Sequence, residues 1–299
     1  MRFLDPKTDI AFKKLFGDQN GTPRTISFLN AMLELMPGEL ITKVHIDNTE
    51  NLPILLNRKK SFIDVSCTDQ TGKKYIVEMQ RIDEHDFLDR AGFYASASIQ
   101  SQLKKREPYT AIAPVIFLGV VDFNLFSFGS CITHHFFTES QTGKRTLHHS
   151  EFHFVELQKF NKSVEQLSTD QDRWLYLFKH AEELRELPAQ LRNSTEHLDA
   201  MQVLTEACWS EQEYEEYLAE LDVERRKISN ERWVKKQLAE KKAEGIAKGL
   251  AKGIAQGIAE GELKKARIIA KEMLNDGYDE QAIAKITGLS IHEIKTLRS

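Results

Sequence analysis

The pattern of apolar and polar residues divides the chain into an N-terminal half of mixed character and a C-terminal half that is mostly helical. Residues 1–160 combine helical spacings with short runs rich in β-branched and aromatic residues, whereas helical spacings dominate from residue 170 onward. The sequence therefore predicts an α/β fold with a mixed sheet flanked by helices, followed by an all-helical C-terminal region.

Two short helices are predicted near the N-terminus, over 9–15 and 22–35, with Pro37-Gly38 ending the second. Five segments are rich enough in β-branched or aromatic residues to be strand candidates: 41–46, 61–68, 74–80, 114–121 and 152–157. A helix over 86–105 precedes the fourth strand, whose unbroken apolar sequence PVIFLGVV predicts burial on both faces.

The segment 61–80, SFIDVSCTDQTGKKYIVEMQ, is predicted to form a β-hairpin with the three-residue loop 70–72. Glycine at the third loop position, here Gly72, favours the left-handed conformation that this closure requires. With this loop, the numbers of paired residues sum to 142, and Asp64 lies directly opposite Glu78. A loop of two or four residues would move Asp64 away from Glu78.

Strand alternation gives this hairpin one apolar and one polar face. The predicted apolar face holds six residues: Ile63, Val65, Cys67, Tyr75, Val77 and Met79. The predicted polar face holds Asp64, Ser66, Glu78 and Gln80. Like charges directly opposite each other destabilise a sheet, so the two carboxylates need compensation.

A divalent cation is the natural compensation for Asp64 and Glu78, because Mg²⁺ favours oxygen ligands and is commonly held by one or two carboxylates. The backbone carbonyl of Met79 is a further candidate ligand. Such an ion would polarise a phosphodiester and lower the pKa of a bound water, so hydrolysis of a nucleic-acid backbone is the hypothesis. The same pattern also fits a solvated hairpin face that carries no chemistry.

The charged run 211–262 contains no proline and is predicted to form one long helix, with glycine at every fourth position from Gly245 to Gly261. Each glycine inside a helix costs roughly 0.8–1.0 kcal/mol relative to alanine. These glycines form a ridge along the helix that would let a partner helix approach closely. The alternatives are a flexible connector and repeat slippage without a physical purpose. The sequence leaves all three open.

A compact three-helix pattern follows, over 263–274, 279–286 and 290–297. Ser290 and Glu293 fit a capping box at the start of the last helix. The phrase IAKITGLSIHEIKTL resembles a helix-turn-helix, but few groups on its second helix suit contact with DNA. A small packing or dimerisation module fits the pattern equally well.

The formal net charge of −4 argues against a protein that coats nucleic acid by bulk charge, so any contact with DNA is expected to be local. The three cysteines are far apart, which suggests neither a disulfide framework nor a zinc site. The pairs His134-His135 and His148-His149 are not expected to chelate a metal, because adjacent residues on a strand point to opposite faces.

The N-terminal sequence MRFLDPKTD carries charges where a secretory signal would need an apolar core. No stretch approaches the 18 or so uninterrupted apolar residues of a transmembrane helix. We therefore expect a cytoplasmic protein without membrane association.

Four short motifs occur in a fixed order: D-x-x-F-K at 9–13, F-I-D-V at 62–65, I-V-E-M-Q at 76–80 and D-R-A-x-F-Y at 89–94. This ordered set resembles the PD-(D/E)XK nuclease family of transposases, which is related to the recombination-promoting nucleases. The similarity continues through 107–123 and 155–160 and covers about half of the chain. The resemblance implies a restriction-endonuclease-like fold and DNA cleavage that depends on a divalent metal.

The resemblance also implies roles for the hairpin residues. Asp64 would be the motif aspartate and Glu78 the second acid, while Gln80 stands where many superfamily members have lysine. Glutamine can orient an attacking water but supplies no positive charge, so activation would fall to Mg²⁺ or to another divalent cation such as Mn²⁺. Three nearby cations are candidate helpers: Arg81, Lys59 and Lys60.

Four further residues are candidates for the site, and the first helix, which holds two of them, borders the active site in the resembling family. Asp9 and Lys13 lie one turn apart on the first helix. Asp9 would join the metal ligands or orient one of them, or would only complement the helix dipole. Arg90 and Tyr94 share a face of the helix after the hairpin, where they would contact a phosphate or support the hairpin residues.

The sequence thus predicts three regions: a nuclease-like domain over 1–162, a helical extension over 163–262 and a three-helix module over 263–299. The leading hypothesis is a Mg²⁺-dependent DNA endonuclease associated with recombination or mobile elements, acting as a homodimer joined by its C-terminal helices. The alternative is a catalytically idle nuclease fold that binds DNA or a partner protein.

Overall fold

The computed structural model of the chain describes residues 2–47, 63–103 and 106–298. The chain divides into two compact units, Met1–Arg226 and Lys227–Ser299. The first unit contains the sheet and all of the candidate site residues. The first two residues of the predicted strand 61–68 lie outside the described residues. Lys59 and Lys60 also lie outside them.

The first unit is built on a mixed six-stranded sheet with the strand order β1-β2-β3-β4-β6-β5. Its strands are β1 Val44–Ile46, β2 Val65–Asp69, β3 Lys74–Gln80, β4 Val115–Val121, β5 Ile132–Phe136 and β6 Ser150–Glu156. The central pairs β3-β4 and β4-β6 are parallel, whereas the outer pairs are antiparallel. The predicted α/β class with a mixed sheet is confirmed, while β5 was missed by the sequence patterns.

Helices cover both faces of this sheet. In the first unit they are α1 Asp9–Phe16, α2 Thr22–Leu33, α3 Phe87–Ser101, α4 Asp170–His180 and α5 Thr195–Val203, together with the first turns of α6 Glu211–Asn275. The residues beyond 162 therefore contribute to the same core as the sheet. Helix α2 ends earlier than predicted because Glu34 adopts a left-handed conformation, with φ of 52°.

One face of the sheet packs against α1, α2, α4 and α5 through a large apolar cluster. Its centre is a group of five aromatic rings: Phe12, Phe16, Phe28, Trp174 and Phe178. Aromatic side chains bury more apolar area than other residues, and such contacts fix helices at defined positions. This cluster anchors α1, and with it the candidate residues Asp9 and Lys13, against the sheet.

The other face of the sheet packs against α3. Phe87, Ala91 and Tyr94 lie against residues of β3 and β4 in a second apolar cluster. A Cβ atom at Gly119 of β4 would lie 2.8 Å from the Phe87 ring, so glycine permits this close approach. All seven residues of β4 are buried, as predicted from its unbroken apolar sequence.

The hairpin has the predicted register. Val65 pairs with Val77 and Cys67 with Tyr75, so paired numbers sum to 142, and Gly72 closes the loop with φ of +87°. Ile63 departs from the predicted apolar face and lies in the cluster beneath α3. The reason is that β2 begins only at Val65, so strand alternation no longer decides where Ile63 points.

Helix α6 continues through the segment 263–274, so the first of the three predicted C-terminal helices is its last part. Two short helices follow, α7 Glu280–Thr287 and α8 Ile291–Thr296. They pack with the end of α6 around a small apolar cluster: Ala270, Ile283, Leu289 and Ile294. The predicted capping box of Ser290 and Glu293 is confirmed.

The glycine repeat from Gly245 to Gly261 is helical throughout. Large apolar residues beside these glycines are more than half exposed: Ile246, Leu250, Ile254 and Ile258. Within the described ranges, no helix is long and apolar enough to cross a membrane.

Candidate active site

Two acidic side chains of the hairpin are joined by reciprocal hydrogen bonds. The Asp64 backbone N–H donates to Glu78 Oε1 at 3.3 Å, and the Met79 backbone N–H donates to Asp64 Oδ2 at 2.8 Å. Asp64 lies just before β2, where the regular ladder has ended, so its side chain takes the place of a strand partner. The predicted neighbourhood of Asp64 and Glu78 is therefore present in the structure.

Helix α1 adds a third acid and a cation to this pair. The Lys13 ammonium lies 2.7 Å from Asp9 Oδ1 and 3.7 Å from Asp64 Oδ1. The carboxyl groups of Asp9 and Asp64 also hydrogen-bond to each other. The two α1 residues that were singled out from the sequence thus contact the hairpin acids directly.

The four side chains form a gradient of exposure. Glu78 is 4% exposed and lies beneath α3, and the Asp64 side chain is 9% exposed. The Lys13 and Asp9 side chains are 36% and 54% exposed. A solvated hairpin face, the alternative left open by the sequence, is therefore wrong for Glu78, and the site opens on the side of α1.

Burial changes the ionisation of these acids. It raises the pKa of Glu78 to about 8, against the opposing charges of Arg90 and Lys13. Burial, reinforced by the charges of Glu78 and Asp9, also raises the pKa of Asp64 well above its usual range. Although burial opposes it, hydrogen bonds from Asp64 and Lys13 lower the pKa of Asp9.

These shifts describe a cluster in which the two buried acids, Asp64 and Glu78, hold their protons more tightly than usual, whereas Asp9 loses its proton more readily. The pKa of Glu78 is raised because its carboxylate form would be buried without enough positive charge nearby. A site of this kind would release its protons when a cation enters. Strongly perturbed acids grouped beside an opening are a common mark of functional sites.

The oxygen atoms around the pair suit a hard divalent cation. Within a strand, the N–H and C=O groups of one residue point in the same direction. Because the Met79 N–H points to Asp64, its carbonyl points to the same side, as the sequence hypothesis requires. Carboxylate oxygens with one carbonyl are the ligand types that Mg²⁺ prefers.

The described residues offer no metal site made only of side chains. Among residues 2–47, 63–103 and 106–298, no group of three or more His, Cys, Asp or Glu side chains is arranged to hold a metal ion. The fit to a metal therefore depends on Asp64, Glu78 and the Met79 carbonyl together with water or substrate oxygens. As expected, His134 and His135 point in different directions: His134 contacts His153, whereas His135 contacts Phe126 and Phe154.

The Gln80 amide is engaged at both ends. Its Oε1 accepts a hydrogen bond from Arg90 at 2.5 Å, and its Nε2 donates to the Ile82 carbonyl at 3.0 Å. Arg90 also lies 3.3 Å from Asp86 and over the Phe87 ring. Gln80 therefore holds Arg90 beside Glu78 in this structure.

Tyr94 is buried with α3 against the sheet, one turn after Arg90, where it packs in the cluster that covers Glu78. This position fits the supporting role considered for it from the sequence. Its ring also contacts Phe93. It lies among apolar residues and helps to exclude water from the covered face of the hairpin.

Arg81, one of the helper cations suggested by the sequence, pairs with other acids in this structure. Its guanidinium contacts Asp5 at 3.2 Å and Glu224 of α6. The other suggested helpers, Lys59 and Lys60, lie outside the described residues.

Sequence patterns also missed the support that α6 gives to the site. Glu220 accepts hydrogen bonds from the backbone N–H groups of Asp9 and Ile10, the first two residues of α1. Glu213, Tyr217, Glu220 and Glu224 all contact the N-terminal segment, α1 or Arg81. Their spacing along one helical stripe is the only signal in the sequence that could have shown this contact.

Comparison with known proteins agrees with this geometry. Residues 6–231 match the family described as PD-(D/E)XK nuclease family transposase. Residues 263–299 match the Rpn/YhgA-like nuclease family, C-terminal HTH domain. No curated protein and no solved structure matches the chain. The first match covers most of the chain and includes every candidate site residue.

Proposed function

Because this chain belongs to the PD-(D/E)XK nuclease family of transposases and is related to the Rpn nucleases, we propose that it is a metal-dependent DNA endonuclease. It would hydrolyse phosphodiester bonds in recombination or in the movement of mobile elements. The observation that carries the proposal is the buried pair of Asp64 and Glu78, joined by hydrogen bonds beside Lys13.

Nucleases of this family generally use divalent metal ions. We assign the binding of Mg²⁺, or of Mn²⁺ in its place, to Asp64, Glu78 and the Met79 carbonyl. When bound, such an ion polarises a phosphodiester and lowers the pKa of a coordinated water. The raised pKa values of both acids support this assignment, because they mark a place where positive charge is missing.

The residues of the chain prepare the site by fixing the acids. The Met79 N–H holds Asp64 Oδ2, so Asp64 Oδ1 faces Lys13 and the open side. The Asp64 N–H holds Glu78 Oε1, which leaves Oε2 as the oxygen through which Glu78 would bind a cation. Because these oxygens are already held in place, they would not have to move when the ion binds.

Gln80 acts in this proposal by holding Arg90 rather than by orienting the attacking water. Arg90 lies close enough to Glu78 to oppose the rise in its pKa. Its guanidinium would thus stabilise Glu78 once that group has lost its proton. Asp9 already pairs with Lys13 and would keep this contact if Asp64 bound a cation.

The experiment is nicking of supercoiled plasmid by the purified chain, with Mg²⁺ and with a chelator. Asp64→Asn keeps the shape of the side chain and removes its charge, so it should abolish Mg²⁺-dependent nicking. Asp83→Asn is the matched control, because Asp83 follows the hairpin closely in sequence but its side chain, 42% exposed, contacts His85 instead. Equal nicking by wild type and Asp64→Asn would refute the assignment.

Binding of DNA without cleavage is the second candidate function, favoured by the match of residues 263–299 to a helix-turn-helix domain. Binding of duplex DNA with no nicking under any divalent ion would support this second function over the nuclease.

Homodimer formation through the C-terminal helices remains our proposal, supported by the exposed apolar residues beside the glycine repeat of α6. Light scattering of the full chain and of Ile254→Glu would test it, since the variant should shift to monomer.

A further inference from the structure

Position 80 lacks the positive charge that a lysine would bring to this kind of site. Gln80 is neutral, and its amide is already bound to Arg90 and to the Ile82 carbonyl. Among the described residues, the cations that influence Glu78 most are Arg90 and Lys13. Within the described part of the chain, these two are therefore the candidates for the positive charge at the site.

The two cations differ in what holds them. Arg90 is held by Gln80, by Asp86 and by the face of the Phe87 ring. Among the residues that the structure describes, the Lys13 ammonium pairs with the site acids Asp9 and Asp64. An incoming substrate can therefore reach the Lys13 ammonium without breaking a contact that holds the fold together.

The geometry also keeps Lys13 in place. Thr8 and Glu220 accept hydrogen bonds from the first N–H groups of α1, so the start of this helix is clamped. Lys13 follows Asp9 by one turn, and the two side chains are joined at 2.7 Å. If a divalent cation were to bind Asp64, the contact of Lys13 with Asp9 would remain, and the Lys13 side chain is 36% exposed.

We infer that Lys13 supplies the positive charge that is absent at position 80, and that its ammonium contacts a non-bridging oxygen of the scissile phosphate. This inference rests on the proposed nuclease function. A fixed cation beside an oxygen that gains charge in the transition state stabilises that state more than the substrate. Asp9 then serves as the positioning residue for Lys13.

The test compares Lys13→Ala with Lys14→Ala in plasmid nicking at saturating Mg²⁺. Lys14 is the matched control, because it lies on the same helix and carries the same charge but pairs with Glu213. Loss of one stabilising group of this kind lowers kcat by about 100-fold or more. We expect that loss for Lys13→Ala, a loss of less than about threefold for Lys14→Ala, and partial retention by Lys13→Arg.

Two further measurements separate a role in the transition state from a structural role. The first is DNA affinity, measured with Ca²⁺ as a probe ion that supports binding; it should change less than about tenfold in Lys13→Ala. The second is the melting temperature, which should stay near that of wild type. The double variant Lys13→Ala/Gln80→Lys should nick at least about tenfold faster than Lys13→Ala/Gln80→Ala, because both lose the Gln80–Arg90 contact and only the first returns a cation to the site.

The possible failures are distinguishable. If Asp64→Asn abolishes nicking but Lys13→Ala loses less than about tenfold, the nuclease assignment stands and the role of Lys13 is overturned. If Lys13→Ala/Gln80→Lys is no faster than Lys13→Ala/Gln80→Ala, or if the loss of activity follows the melting temperature, the role of Lys13 is overturned as well. If wild type and Asp64→Asn nick equally, the proposed function fails and the inference fails with it.

Discussion

Replacing Glu78 by glutamine should stabilise the first unit at neutral pH when no divalent ion is present. Glu78 is almost fully buried, and burial raises its pKa from 4.5 to about 8. Between these two values the folded protein keeps a proton that the unfolded chain releases. The free energy of unfolding therefore falls as the pH rises through this window. Glutamine has a similar shape and accepts the same hydrogen bond from the Asp64 N–H, but it does not titrate.

The size of the effect follows from the width of the window. Each pH unit between the two pKa values changes the free energy of unfolding by about 1.4 kcal/mol. From pH 4.5, the unfolded value of Glu78, to pH 7 the wild type should lose about 3 kcal/mol relative to Glu78→Gln. For a unit of this size, that difference corresponds to about 6–12 °C in melting temperature.

Urea unfolding in the presence of a chelator, at several pH values from 4.5 to 8, measures this difference directly. The stabilities of wild type and Glu78→Gln should converge near pH 4.5 and separate as the pH rises. Glu39→Gln, at an exposed position, provides the control and should follow wild type throughout. A Glu78→Gln variant that is less stable than wild type at pH 7, or parallel pH curves, would refute the reasoning about burial.

Three other predictions follow from the same contacts. Gln80→Ala should reduce nicking by about tenfold or more by releasing Arg90, measured as initial rate; a rate equal to wild type would remove the Gln80–Arg90 contact from the account. Affinity for Mn²⁺, measured by calorimetry, should rise between pH 6 and 8 because Glu78 must lose its proton, and a flat profile would contradict this. Glu220→Ala should cost about 1 kcal/mol in urea unfolding by leaving the first N–H groups of α1 without an acceptor; no change would show that water replaces Glu220.

The hairpin could be predicted in detail because local rules determine it. Loop length and the conformation of Gly72 set the register, and strand alternation sets the faces of Val65 and Val77. Asp64 lies just before this ladder, and hydrogen bonds to Glu78 and Met79 hold it beside the pair instead. Ile63 could not be placed, because alternation applies only inside a strand and β2 begins two residues later.

The environment of the hairpin could not be predicted because it comes from distant parts of the chain. Glu78 is buried by α3, and Glu220 reaches α1 from more than two hundred residues away. The partners of Arg81, Asp5 and Glu224, are equally remote in sequence. The spacing within a motif identifies the candidate acids, whereas packing between distant elements determines how exposed they are and how their pKa values shift.

The edge strand β5, Ile132–Phe136, shows a different limit. Its sequence ITHHF alternates weakly, with a central pair of histidines, and most of it is only half-buried. Pairing with β6 defines it as a strand, with His134 opposite His153. Such a strand depends on its partner more than on its own pattern, so sequence periodicity alone does not reveal it.

The central claim is that Asp64 and Glu78 form a metal-dependent nuclease centre. The most direct measurement is the initial rate at which the purified chain nicks supercoiled plasmid as Mg²⁺ is titrated, for wild type and for Asp64→Asn. The account predicts a rate that rises with Mg²⁺ to a plateau in wild type and remains at background in the variant. Nicking by Asp64→Asn at the wild-type rate, or no dependence on the metal, would contradict it.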